Sequence, residues 1–253
     1  NEFMRVTAIA LLEGYDRRYK NDEFDIVKTE LEFRAPLLKP DTTRESQNFV
    51  LGGVIDAILR QKHEPKRYFI KETKTTSEDI SPESDYWRKL MLDPQVSQYY
   101  VGAESLGIQV ESCIYDVIKK PTSRPYKATP IESRKYKADG TLYANQREKD
   151  ELPQEYAARI SQDILVNPDF YYARKEVPRS ENDLTDFYFD AWNTAKAMRE
   201  SQLHGKYQRH THSCMNFYGK CPYWVICTGQ ASVEDPNQFK KAENAHQELS
   251  GRR

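Results

Sequence analysis

The chain of 253 residues has no apolar run near the roughly 20 residues that a bilayer-crossing helix needs. Its mean hydropathy is −0.86, so a membrane-spanning protein is not expected. The opening Asn1-Glu2-Phe3-Met4 lacks the basic region and apolar stretch of a secretion signal. A cytoplasmic protein that keeps clear of the membrane is the expectation. Cysteine is scarce: Cys113, Cys214, Cys221 and Cys227 are too few, in a chain this long, to serve as a disulfide framework. There are only five histidines, and none precedes His63. An excess of one charge is also missing: 38 Lys/Arg against 39 Asp/Glu leave a net −1, which argues against a nucleic-acid binder that works by overall charge.

Hydrophobic residues at 38% and charged residues at 30% allow one large domain, or one domain with an appendage, under a highly charged surface. The charge is unevenly placed. Lys119 to Lys149 holds nine Lys/Arg and three Asp/Glu, a local +6 that leaves −7 for everything else. A basic track beside an acidic metal site would look like this, with Lys135 and Lys137 as candidate DNA contacts. The plain alternative is a solvated loop, since one linear run need not form one face.

Periodicity predicts an amphipathic helix over Phe3 to Tyr19, on Phe3, Val6, Ile9, Ala10 and Leu12. It begins without a cap, which suggests further sequence upstream. Three strands follow, Phe24 to Ala35, Asn48 to Arg60 and Arg67 to Thr75. Ser84 to Leu106 reads as helical, its second half started by Asp93 as N-cap and Pro94, and closed by Gly107. Ile108 to Ile118 is an apolar strand containing Cys113. Beyond it come a proline-punctuated basic stretch, a helix from about Pro153 to Val166 and another from about Leu184 to Gln202. The expected division is a core over residues 1–118, with residues 119–253 as a basic insertion, helices and a cysteine-containing segment packed on the same domain.

Metal-assisted phosphodiester hydrolysis needs at least two hard oxygen ligands and is helped by a nearby cation. If Asp56 in the second strand faces Glu72 in the third, the hairpin is centred on residue 64, inside the polar stretch Gln61 to Lys66. Lys74, two residues after Glu72, then shares its face, and the main-chain carbonyl of Thr73 becomes a third candidate ligand. One other acid-x-Lys triplet exists, Glu64-Pro65-Lys66, but it lies in the turn. Glu72-Thr73-Lys74 ends the apolar run Tyr68-Phe69-Ile70, where charge is unexpected. For the triplet alone, a salt bridge at a sheet edge is the simpler reading. Two further features shift the balance. Gly52-Gly53-Val54-Ile55-Asp56 brings an acid into an apolar strand, and Gln95 and Tyr99 lie four apart on one helix face. Gln95 falls in the first turn, where free backbone N–H groups favour a phosphate.

Gly53-x-x-Asp56, Glu72-x-Lys74 and Gln95-Val96-Ser97-Gln98-Tyr99, in that order, resemble the RecB-type branch of the PD-(D/E)XK nuclease superfamily. The phage-type single-domain exonucleases are the nearest in kind, and the likeness covers roughly Glu30 to Ile118 and the cysteine region. The resemblance implies an α/β, restriction-endonuclease-like core of helix, three strands, helix and strand, with C-terminal helical and cysteine-containing additions. It also implies Asp56 and Glu72 as ligands for Mg2+ or Mn2+, Lys74 as the catalytic lysine, and Gln95 and Tyr99 as residues that hold substrate or lysine. The activity implied is a DNA exonuclease of phage or bacterial recombination or repair, with DNA and a recombination protein as partners. The alternative is a DNA-binding module that keeps the fold without catalysis.

Two departures stand out. The upstream histidine of many relatives is absent, leaving Glu13, Glu30 or Glu32 as substitutes, and Ile55 stands where proline often precedes the first acid. His210, His212, Cys214, Cys221 and Cys227 crowd one short segment. The spacing of Cys221 and Cys227 matches the last pair in iron–sulfur relatives, which implies a [4Fe-4S] cluster, but the N-terminal partner cysteine is missing. Structural zinc with a histidine is a second reading. Thiols packed among Phe217, Tyr218, Tyr223 and Trp224 are the third. A zinc-stabilised adaptor built on this segment would leave the charges of the buried strands without a role.

Overall fold

The computed structural model describes residues 2–216 and 219–243. Its elements run α1 (Glu2–Arg18), β1 (Phe24–Leu38), β2 (Glu45–Gln61), β3 (Tyr68–Thr76), α2 (Asp85–Lys89), α3 (Pro94–Ser105), β4 (Ser112–Lys119), α4 (Pro153–Val166), α5 (Pro168–Tyr171), β5 (Tyr172–Val177) and α6 (Glu181–His204). The small pair β6 (Met215–Asn216) and β7 (Gly219–Lys220) and the turn-length α7 (Trp224–Cys227) follow. The large sheet is mixed, in the order β1-β2-β3-β4-β5. β2 and β3 are antiparallel, β3 and β4 parallel, β4 and β5 antiparallel. A parallel pair needs a long crossover, and the segment carrying α2 and α3 supplies it. The fold is therefore α/β, a mixed five-stranded sheet with helices. Among the described residues, no helix is long and apolar enough to cross a membrane.

The chain divides into two compact units. One holds residues 1–31 and 55–179, the other residues 32–54 and 180–253. This division does not follow the expected boundary after residue 118. Residues 119–179 group with the first unit because β5 extends the sheet beside β4, and because Tyr156, Ile160 and Ile164 of α4 share a core with Ala10 and Leu11 of α1.

Local chemistry explains several boundaries. The helical stretch Ser84 to Leu106 restarts at Asp93 as the sequence suggests, because Asp93 takes an extended conformation (φ −70°, ψ 113°) ahead of Pro94. The Asp93 side chain accepts from the Gln95 backbone N–H at 2.8 Å and so caps α3. At the other end Gly107 adopts φ +72°, and the Ile108 N–H reaches back to the Ala103 carbonyl at 2.9 Å, closing the helix as the sequence suggests. α6 starts on Ser180, whose hydroxyl accepts from the Asp183 N–H at 3.2 Å while the Asp183 carboxylate accepts from the Ser180 N–H at 2.7 Å.

β4 is buried along its whole length, as a central strand covered on both faces should be. Two of its side chains, Asp116 and Lys119, are charged. Asp116 is 0% exposed and receives the Arg174 guanidinium at 2.8 Å, the Lys71 ammonium at 3.3 Å and the Tyr15 hydroxyl. Arg174 also meets Asp22 at 2.7 Å. This charged knot ties α1, β3, β4 and β5 together. It involves Lys71, which the alternation of β3 places on the opposite face from Glu72 and Lys74.

Candidate active site

The β2–β3 ladder sets Ala57 opposite Lys71 and Ile58 opposite Ile70. One step further along the same register, Asp56 faces Glu72, and Lys74 projects from the face of Glu72. The hairpin is thus centred where the sequence placed it. Asp56 accepts from the Thr73 backbone N–H at 3.0 Å, which fixes its carboxylate across the strand gap. The Lys74 ammonium pairs with Glu72 Oε1.

Glu72 is the unusual member. Its side chain is 1% exposed, and Oε2 is buried with no hydrogen-bond partner. An ionised carboxylate left so bare is costly unless something positive completes its shell. Burial pushes the Glu72 carboxyl above its ordinary range. Lys74 opposes that shift, and the neighbouring Asp56 adds to it. Lys74 keeps 37% of its side chain exposed, so its ammonium can meet both the buried acid and solvent.

Helix α3 completes the cluster. The Gln95 side-chain amide donates to the Tyr99 hydroxyl at 2.8 Å, and that hydroxyl in turn hydrogen-bonds Glu72. Burial, and then the Glu72 charge, push the Tyr99 phenol well above its usual value, so it stays protonated and can donate. The chain Gln95–Tyr99–Glu72–Lys74 joins two of the three expected motifs through side-chain contacts. Tyr115, opposite Glu72 on β4, is buried against Tyr86, with ring centroids 6.5 Å apart.

One supporting residue gave no signal in the sequence. Arg179 donates to Ser97 Oγ at 2.8 Å, to the Leu90 carbonyl at 2.7 Å and to the Asp93 carbonyl at 3.0 Å. It thereby holds the first turn of α3, and with it Gln95. Nothing about an arginine between Pro178 and an N-cap serine marks such a role.

Other expected site residues lie apart. Among the described residues no group of three or more His, Cys, Asp or Glu is arranged to hold a metal. Glu13 and Glu30 are exposed, and Glu32 pairs with Arg34 at 3.5 Å. Two carboxylates and a carbonyl would not make such a group, so the Asp56–Glu72 pair is unaffected. For the cysteine segment the count matters more. Cys214 and Cys221 are half-buried and face each other at the open end of the β6–β7 pair, where the Cys221 N–H meets the Cys214 carbonyl at 2.9 Å. Cys227 is exposed. The three thiols do not come together as a ligand set among the described residues. Phe217 and Tyr218, which the packed-thiol reading invokes, lie outside the described residues. Lys135 and Lys137 stand on an exposed hairpin and take no part in the carboxylate cluster.

No family model and no curated protein matches the chain. A solved structure described as "Crystal structure of SSO0001" is similar over 65% of this chain and 59% of its own, at 16% identity and a TM-score of 0.25. The chain thus spans less than two thirds of that protein's length. A likeness this loose carries neither fold nor function across.

Proposed function

We propose that the protein is a divalent-metal-dependent deoxyribonuclease, with Asp56 and Glu72 as side-chain ligands of Mg2+ or Mn2+ and the Thr73 carbonyl as a third oxygen. The observation that carries this reading is the buried, unpartnered Oε2 of Glu72 beside a second carboxylate and a lysine. That donor set suits a hard cation, which takes oxygen ligands and would relieve both the bare oxygen and the like-charge pair. When bound, the metal polarises the phosphate and lowers the pKa of an attacking water.

The chain's own residues do the rest. Lys74 offsets negative charge that develops on the phosphate as water adds, with its ammonium directed by Glu72. Tyr99, held by Gln95, donates to Glu72 and keeps its carboxylate from rotating toward Lys74 alone. Gln95, in the first turn of α3, acts through its side-chain amide, which orients the Tyr99 hydroxyl. Attack at DNA ends rather than within the strand is proposed on the sequence resemblance to phage-type exonucleases.

The test is digestion of end-labelled DNA with Mn2+. Wild-type protein should release short products, and Asp56→Ala and Glu72→Ala should not. Undiminished digestion by Asp56→Ala would exclude the assignment. Binding of DNA by wild type with no cleavage in any divalent metal would leave a non-catalytic DNA-binding module instead.

A further inference from the structure

The nine cations between Lys119 and Lys149 do not act as one surface. Lys119 is 6% exposed, with its ammonium 4.1 Å from the centre of the Phe170 ring. Lys127 is paired with Asp150 at 2.7 Å, and Arg147 with Glu155 at 2.7 Å. Arg134 spends its guanidinium on the carbonyls of Thr129 at 3.0 Å and Glu148 at 2.8 Å. Of the other five cations, none of which has a carboxylate partner among the described residues, Lys135 and Lys137 stand together on one element.

That element is a short β-hairpin. Tyr136 bridges Leu142 in antiparallel fashion. The Lys137 N–H reaches the Thr141 carbonyl at 2.8 Å, and the Tyr143 N–H reaches that of Lys135 at 3.3 Å. The turn is tied: Gly140 takes φ +79°, its N–H donates to the Lys137 carbonyl at 3.0 Å, and the Asp139 carboxylate accepts from the Thr141 N–H at 2.9 Å. The base is tied as well, by Gln146, which accepts from the Lys135 N–H at 2.7 Å and donates to the Ser133 carbonyl at 3.1 Å. Pleating puts Lys135, Lys137 and Tyr143 on one face, with Tyr143 directly across from Lys135, and Tyr136 on the other face. Tyr143 is 49% exposed and Tyr136 53%.

We propose that this face is a clamp for a single-stranded polynucleotide, with the Tyr143 ring stacked on an unpaired base and Lys135 and Lys137 on neighbouring phosphates. The proposal rests on the nucleic-acid reading above and deepens it to a substrate class. The complementarity is specific. Two lysines at alternate strand positions are about 7 Å apart, of the order of one step between phosphates in an extended strand. An exposed ring beside them finds a free base face in a single strand, whereas in a duplex each base is already stacked and paired. The turn and base bonds present these groups in a fixed arrangement, which reduces the ordering cost of binding. DNA and RNA share this chemistry.

The experiment is fluorescence anisotropy in EDTA, where no metal-dependent cleavage can occur, with labelled oligothymidylate, oligouridylate and a blunt DNA duplex, each about ten nucleotides long. The single strands should bind more tightly than the duplex, and the tighter of the two identifies the source as DNA or RNA. Tyr143→Ala should weaken single-strand binding about ten-fold and leave duplex binding unchanged, and Tyr143→Phe should restore it. Replacing both Lys135 and Lys137 by glutamine should reduce the slope of log affinity against log salt by about 1.4, two phosphates at about 0.7 each. Equal or tighter duplex binding, or an unchanged affinity in Tyr143→Ala, overturns the clamp. A protein that digests DNA yet fails these tests loses only the clamp, whereas one that binds none of the three probes loses the nucleic-acid reading itself.

Discussion

At the scale of single residues, Glu72 decides most of the chemistry. It is an acid held in a nearly dry strand position, its charge only half satisfied by Lys74. Because burial raises its folded carboxyl above the unfolded value near 4.3, ionisation costs folded-state stability as the pH climbs through the raised pKa. In EDTA, Glu72→Gln protein should therefore melt progressively higher than wild type as the pH rises above about 4.3. Melting curves across pH read this directly, and a difference that shrinks with pH would contradict the assignment. The same substitution should abolish metal-dependent digestion. Lys74→Ala should act differently: Mn2+ binding measured by calorimetry should survive, while the turnover rate falls about a hundredfold or more. Loss of both together would make Lys74 a structural partner of Glu72 rather than a catalytic residue.

Elements depend on a few close fits. Gly14 lies in α1 where an added Cβ would run into the Tyr172 hydroxyl and Ile164. Tyr172 cannot give way freely, because its hydroxyl donates to the Leu11 carbonyl at 2.7 Å in the core shared by α1, α4 and β5. Gly14→Ala gains about 1 kcal/mol of helix propensity but costs about 1–3 kcal/mol of overpacking. Denaturant unfolding should show a net loss; a gain would mean that the core yields at this point. The segment after β4 is pinned in another way. Arg159 of α4 grips Glu151 through two bonds, at 2.9 and 2.8 Å, while Glu151 accepts from the Tyr126 N–H at 2.8 Å. Arg159 also lies 4.0 Å from the centre of the Tyr126 ring. The grip holds the Glu151 carboxyl below its ordinary range, so its contribution is complete above the unfolded value near 4.3 and is lost as pH falls through the lower folded one. Arg159→Ala should cost on the order of 2 kcal/mol and speed proteolysis within residues 119–149. Unchanged cleavage there would show that the pin is dispensable.

For the molecule as a whole, a near-neutral net charge means that any nucleic acid is met by local groups, not by an overall field. A ligand that binds only the folded state also stabilises it by mass action, about 2.7 kcal/mol at a hundred times its dissociation constant. Mn2+ should accordingly raise the melting temperature of wild type and leave that of Asp56→Ala unmoved. Because Asp56 and Glu72 both lie in the unit of residues 1–31 and 55–179, the gain should appear in the transition of that unit. An equal shift in both proteins would point to metal binding elsewhere.

The sequence alone determined the parts governed by local rules. Side-chain alternation on two strands and a turn centred on residue 64 were enough to set Asp56 across from Glu72, and the Asp93-Pro94 and Gly107 signals marked both ends of α3. What needed tertiary structure was every contact between segments far apart in the chain. No element is expected between Val166 and Leu184, yet Tyr172 to Val177 forms β5 beside β4, where Arg174 pairs with the buried Asp116. Arg179 carries no signal in the sequence, and only the fold brings it to Leu90, Asp93 and Ser97. The basic run reads as one track or as a solvated loop; in the fold, carboxylates and carbonyls take up four of its nine cations, and Lys135 and Lys137 stand together on a hairpin with no carboxylate partner among the described residues. Periodicity and capping are short-range properties of the backbone, whereas the partner of a charge is set by what folding brings within reach.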